Sequence, residues 1–116
     1  MKKMVIGAMA AVAVCLALTG GAEAATVRTS VVPGGTTDVW TETFVGGFKA
    51  AVVLVGDGDT DLDLYVYDEN GKLITYSEGP SDREAVSWTP RWTGKFTIKV
   101  VNRSRFTANR YSIAWR

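Results

Sequence analysis

The sequence predicts an all-β fold: an antiparallel β-sandwich, jelly-roll-like, of about eight strands. Three observations carry this. Short stretches rich in Val, Ile, Thr, Phe, Tyr and Trp recur roughly every ten residues from position 26 onward. Turn formers stand between them: Pro33-Gly34-Gly35, Gly46-Gly47, Gly56-Asp57-Gly58, Asn70-Gly71, Gly79-Pro80 and Pro90. Several stretches alternate apolar and polar residues, and none after residue 24 carries the helical period.

The first 24 residues read differently. Met1-Lys2-Lys3 is a short basic start, residues 4–18 carry no charge, and Ala22-Glu23-Ala24 is an A-x-A cleavage signature. Together these predict a cleaved secretory signal, with Ala25 the first mature residue and a single β-sandwich domain over residues 25–116. The uncharged run is about 15 residues, short of the roughly 20 that span a bilayer as a helix. Cys15 lies inside it. A lipoprotein signal needs a small residue before the cysteine and Val14 stands there, so Cys15 is expected to leave with the peptide.

What remains has neither Cys nor His. Ser-His and Cys-His nucleophile pairs are therefore excluded, as are thiolate and imidazole metal sites. Lys2, Lys3 and Glu23 leave with the signal, so 13 basic and 12 acidic residues become 11 of each. A balanced chain has no global field for nucleic acid. The charges are segregated, however. Residues 57–84 hold nine acidic residues against Lys72 and Arg83, and residues 91–116 hold seven basic residues and no acidic one. Either the two segments lie side by side and neutralise each other, or the basic one forms an exposed edge for an anionic polymer.

The strands follow in order. Residues 26–32 form the first, and residues 36–45, rich in Thr, Val, Trp and Phe, the second. Residues 48–55 form a third, with Phe48, Ala50, Val52 and Leu54 on one face and Ala51, Val53 and Val55 on the other, as expected of a central strand. Residues 61–67 place Leu62, Leu64 and Val66 on the core face. Asp68-Glu69-Asn70-Gly71 closes a hairpin, Asn-Gly supplying positive φ values, and residues 73–77 return. Residues 85–88 turn Val86 and Trp88 inward. Residues 95–101 turn Phe96, Ile98 and Val100 inward, and residues 110–115 share Tyr111, Ile113 and Trp115 on one face. Trp40, Trp88 and Trp115 are assigned to the core.

The candidate metal ligands are Asp57, Asp59, Asp61 and Asp63, on the loop and strand that begin at Gly56. Calcium takes six to eight oxygen ligands, and alternating Asp supplies several. Four carboxylates so close also repel one another, and a divalent cation relieves that. The competing reading makes the first three turn formers and solvated loop charges, with Asp63 facing outward from its strand. The candidate ligand-binding residues are Tyr65 and Tyr67, on the parity away from the core, and Trp92, in a turn. Exposed aromatics give contact area at low entropy cost. Alternatively, that second parity packs beneath a neighbouring loop.

Residues 58–74 (GDTDLDLYVYDENGKLI), 84–90 (EAVSWTP), 93–102 (TGKFTIKVVN) and 110–116 (RYSIAWR) resemble the bacterial pre-peptidase C-terminal domain. The likeness spans about residues 36–116. Its most telling parts are Asp61 to Tyr67 and the turn Trp92-Thr93-Gly94 leading into Phe96-Thr97-Ile98. The resemblance implies a jelly-roll-like sandwich of the kind appended to secreted proteases, a family that includes the collagen-binding domains of clostridial collagenases. It implies a noncatalytic role in adhesion, substrate binding or secretion. Collagen-binding members hold calcium with carboxylates in the segment entering the domain; residues 25–32 contain none.

Two function classes follow. The first is a secreted, noncatalytic binding or adhesion module, with calcium as a stabiliser. Its partner would be an extracellular matrix protein, a polysaccharide or a secreted enzyme, with no nucleic acid and no membrane after signal cleavage. The second is a structural or stability protein of the periplasm or envelope. Paired carboxylates for glycoside hydrolysis are formally present, but a chain this small leaves little room for a deep cleft, so no enzyme activity is expected.

Overall fold

The structure, a computed structural model, describes residues 25–116. The expected export signal and Cys15 lie outside them. Eight strands follow one another: β1 (Thr26–Val32), β2 (Thr37–Phe44), β3 (Ala50–Val55), β4 (Leu62–Tyr67), β5 (Leu73–Ser77), β6 (Arg83–Trp88), β7 (Gly94–Asn102) and β8 (Asn109–Trp115). They form two four-stranded sheets, β1-β8-β3-β6 and β2-β7-β4-β5, with every pairing antiparallel.

The pairing follows one rule. β4 pairs β5, β3 pairs β6, β2 pairs β7 and β1 pairs β8. The chain is thus a long two-stranded ribbon folded at the β4–β5 hairpin, then wrapped so that β8 also pairs β3 and β7 also pairs β4. That is a jelly roll. The fold of the ribbon sits at residues 68–71. Asp68 Oδ1 accepts the Asn70 and Lys72 amides, and the Gly71 amide donates to Asp68 O. Of the Asn-Gly pair, only Gly71, the last residue of the turn that its amide closes, has positive φ, at 84°. The Asn-Gly pair therefore makes no double-positive turn. The Asp68 side chain holds the bend, and the β4–β5 register slips between Val66 and Tyr67 to absorb the extra residue.

The core lies between the sheets. Leu62, Leu64 and Val66 of β4 meet Phe96, Ile98 and Val100 of β7 and Val52 and Leu54 of β3, all fully or almost fully buried. At one end Phe44 stands edge-on to Trp88, with ring centroids 5.0 Å apart, and to Phe96 at 5.8 Å. Across the sheets, Trp40 Nε1 donates to Tyr111 Oη at 3.0 Å, and that hydroxyl donates to Asp38 Oδ2 at 2.6 Å. Tyr111 is fully buried, and burial first, then the Asp38 carboxylate, pushes its ionisation well above the ordinary tyrosine range.

Two expectations change. Phe48 is not on the core face of β3: the strand begins at Ala50 and the Phe48 side chain is 68% exposed. The turn explains it, because Gly47 adopts φ 86° and donates to Pro90 O, which carries Phe48 outward before pairing starts. β6 also starts earlier than the apolar residues suggest, at Arg83, which brings Glu84 onto the inward parity of Val86 and Trp88.

Candidate functional site

The loop between β3 and β4 is held from below. Asn109, fully buried at the start of β8, accepts the Asp57 amide at Oδ1 and donates from Nδ2 to Thr60 Oγ1 and Asp82 Oδ2. Asp82 in turn accepts the Gly58 amide at 2.6 Å. A Cβ at Gly56 would lie 2.2 Å from Asp82 Oδ2 and 2.6 Å from Asn109 Oδ1, so a larger residue there would displace this network. Asp57 is occupied within the loop, accepting the Asp59 amide at Oδ1 and the Arg110 amide at Oδ2. Asp59 is exposed. Asp57 thus forms the turn, Asp59 is an exposed loop charge, and both lie outside the cluster described next.

Asp61 and Asp63 instead converge with a third carboxylate, Glu84, their oxygens within 4.8 Å of one another. β5 ends at Ser77, opposite Leu64, so no β5 residue flanks Asp63. Residues 78–82 fill that edge, with Ser81 O accepting the Leu62 amide. Glu84 crosses from the other sheet and accepts the Ser77 hydroxyl and the Gly79 amide. Asp63 is consequently only 4% exposed, although it lies on the parity away from the core. Its Oδ2 accepts Arg103 Nε at 2.6 Å; its Oδ1, like Asp61 Oδ1, is buried with no hydrogen-bond partner among the described residues. Burial first, then repulsion from Asp63 and Glu84, holds the Asp61 carboxyl above its ordinary range.

From Arg103 the chain of contacts leads onto the outer face of the second sheet. The other end of the guanidinium donates to Tyr65 Oη at 2.7 Å, and that hydroxyl donates to Glu78. Burial and the Glu78 hydrogen bond push Tyr65 up to about 12. The Tyr65 ring stacks on Tyr76 directly across the β4–β5 ladder, centroids 6.1 Å apart and planes 17° from parallel. Lys99 Nζ stands 4.9 Å above the ring of Tyr67. Tyr67, Asp68, Glu69, Gly71, Thr97 and Lys99 line a shallow open depression of about 280 Å³. Trp92 stands at the same end, its indole and the Glu69 carboxylate both against Gly94.

Of the sequence candidates, then, Asp61 and Asp63 come together while Asp57 and Asp59 stay in the loop. Tyr65 and Tyr67 share one sheet face, with Trp92 at its end. Glu84, Arg103, Tyr76 and Lys99 were not singled out. For Glu84 a signal existed, a carboxylate two residues before Val86 on a greasy parity. Tyr76 and Arg103 need the strand register, which the sequence does not print.

No family model and no curated protein matches this chain. Solved structures do. The pre-peptidase C-terminal domain of a collagenase from Bacillus anthracis superposes with a TM-score of 0.68 at 14% identity, covering 78% of this chain and 88% of that one. The chain has the fold of that domain. A periplasmic inhibitor of g-type lysozyme from Aeromonas hydrophila superposes with a TM-score of 0.61 at 16% identity, covering 78% of this chain and 83% of that one. At these identities the likeness is one of fold.

Proposed function

We propose that the chain is an exported, noncatalytic binding module that docks a macromolecular partner on the outer face of its β2-β7-β4-β5 sheet. One observation carries this reading: the aromatic residues of that face are contiguous. Tyr76 and Tyr65 are stacked neighbours, Tyr67 and Leu73 follow in the next row, and Lys99 bridges toward Val39 on β2. Tyr76 is 54% exposed, and Leu73 and Val39 are also open to solvent. Arg103 and Glu78 lie at the margin of the row. An aromatic centre with a charged margin is the anatomy of a recognition surface rather than of scattered surface residues.

Other features agree. Residues 1–24 read as an export signal, and one structural neighbour is periplasmic. Without Cys or His after residue 24, the usual nucleophile and base pairs are missing from the sequence. Calcium belongs to this reading as a stabiliser of the acidic region, not as a participant in chemistry. The partner classes are a matrix protein, a polysaccharide or a secreted enzyme.

Cosedimentation with insoluble collagen, peptidoglycan and chitin, together with capture of secreted enzymes from culture medium, tests the reading. One of these should retain the parent, and the double variant Tyr65→Ala/Tyr76→Ala should lose retention while its fold, read by circular dichroism, is kept. Equal retention of parent and double variant, or no retention by any of them, would overturn it.

A further inference from the structure

We propose that Asp61, Asp63 and Glu84 form a divalent-cation site, and that its occupancy sets the order of the tyrosine face through Asp63, Arg103 and Tyr65. The coupling rests on reading that face as the docking surface; the site itself does not.

The convergence of three carboxylates is the first observation. The second is independent of it. Asp63, with its side chain only 6% accessible, keeps Oδ1 buried without a donor among the described residues, and Asp61 Oδ1 is in the same condition. A buried carboxylate oxygen with nothing to accept is costly, and native proteins rarely leave one. The donors nearby are already engaged. Arg103 spends Nε on Asp63 Oδ2 and its terminal nitrogen on Tyr65. The Ser77 hydroxyl and Gly79 amide are on Glu84, and the Gly58 amide and Asn109 Nδ2 are on Asp82. Three carboxylates share one guanidinium, so the site carries excess negative charge. A cation answers both the missing donors and the charge. All-oxygen ligands select a hard ion, and a set drawn from a loop, a strand and the opposite sheet suits calcium, which tolerates irregular geometry, better than magnesium. This position is separate from the entry segment, where residues 25–32 offer no carboxylate.

Asp63 makes the site more than a staple. One of its oxygens is buried with no donor among the described residues, and the other holds Arg103, which holds Tyr65. Glu84 reaches the same tyrosine pair from the other side, through Ser77, the neighbour of Tyr76. With the ion present, Asp63 is fixed in the rotamer that keeps Arg103 on Tyr65. Without it, repulsion among the three carboxylates frees Asp63 to turn, and the Tyr65–Tyr76 stack loosens.

Calorimetric titration of the chelator-treated chain with calcium chloride reads the site. One ion per chain is expected, with a Kd on the order of 10⁻⁴–10⁻³ M, as for other extracellular modules. Asp61→Asn and Glu84→Gln should each abolish binding, and Asp59→Asn should keep it. Asp61 makes no hydrogen bond through its buried oxygen, so Asp61→Asn keeps the test valid if Glu84→Gln fails to fold. No saturable binding by the parent, or binding unaffected by Asp61→Asn, overturns the site. The tyrosine band of the near-ultraviolet circular dichroism reads the coupling. Calcium should strengthen it in the parent and leave it unchanged in Arg103→Met, which still binds the ion. A parent band indifferent to calcium, or a response that survives Arg103→Met, overturns the coupling. Neither readout uses a docking partner. If calcium binds and moves the tyrosine band while Tyr65→Ala/Tyr76→Ala leaves retention on polymers unchanged, the docking reading falls and the cation site stands.

Discussion

Asp63 and Arg103 meet across the β4–β7 edge, Oδ2 to Nε at 2.6 Å, with the aspartate buried and the arginine half in solvent. Such a pair is unequal. Removing the guanidinium leaves a charge out of water, whereas removing the carboxylate leaves one in it. Arg103→Met keeps the apolar stem and should cost about 1–3 kcal/mol of stability, between the values for exposed and fully buried pairs. Arg103→Lys should recover only part of this, because a single ammonium cannot serve Asp63 and Tyr65 with a planar fork. Urea unfolding in the presence of chelator checks both; a Met variant as stable as the parent would show that Asp63 is hydrated after all.

The tyrosines give a pH signature. Tyr65 is raised to about 12 by burial and by its hydrogen bond to Glu78, and Tyr111 is raised by burial and Asp38. An unfolded tyrosine ionises at about 10. Above that value the folded state binds more protons than the unfolded state, so these two groups make stability fall as pH climbs from about 10. Absorbance titration of the native protein should show late-ionising hydroxyls, fewer in Tyr65→Phe and in Tyr111→Phe. A late fraction unchanged by both substitutions would contradict the assignment.

Asn109 is the tie between β8 and the acidic loop, with contacts to Asp57, Thr60 and Asp82. Asn109→Ala leaves the buried Asp82 carboxylate and the part-buried Asp57 amide and Thr60 hydroxyl without this partner and should cost about 1–3 kcal/mol. Its local signature is sharper: hydrogen exchange of the Asp57 and Gly58 amides should accelerate more than that of β7. Uniform acceleration would mean that Asn109 supports the whole fold rather than this loop.

Much of the sandwich was legible because alternation is written one residue at a time. β1 and β5 are found at the residues the pattern marks, and Leu64, Ile98 and Ile113 are buried as their parity requires. The charge segregation was legible too, and at one point the two segments meet: β7, with Lys95 and Lys99, lies beside β4, and Arg103 closes on Asp63. What could not be read was pairing at a distance. The Asp run pointed to four ligands close in sequence. The observed trio takes its third member from the opposite sheet, 21 positions beyond Asp63, because β5 ends short and Glu84 crosses the gap. Tyr76 became part of the tyrosine face only through its register opposite Tyr65.

Phe44 and Phe48 show the same limit and supply a contrast to measure. Both lie in apolar surroundings in the sequence, and the spacing around Phe48 points it toward the core. Gly46 and Gly47 separate their fates. Gly46 packs so closely on Trp92 that a Cβ would lie 2.6 Å from its backbone, which pins the turn, and Gly47 then swings the chain outward. Phe44 remains between Trp88 and Phe96, and Phe48 points into solvent. Phe44→Ala should therefore cost about 3–5 kcal/mol, the usual loss for a buried phenylalanine. Phe48→Ala should change stability by no more than about 0.5 kcal/mol, as at other surface positions. Paired denaturation curves decide it: a Phe48 variant as damaged as the Phe44 variant would put that ring back in the core and move the start of β3 toward the turn.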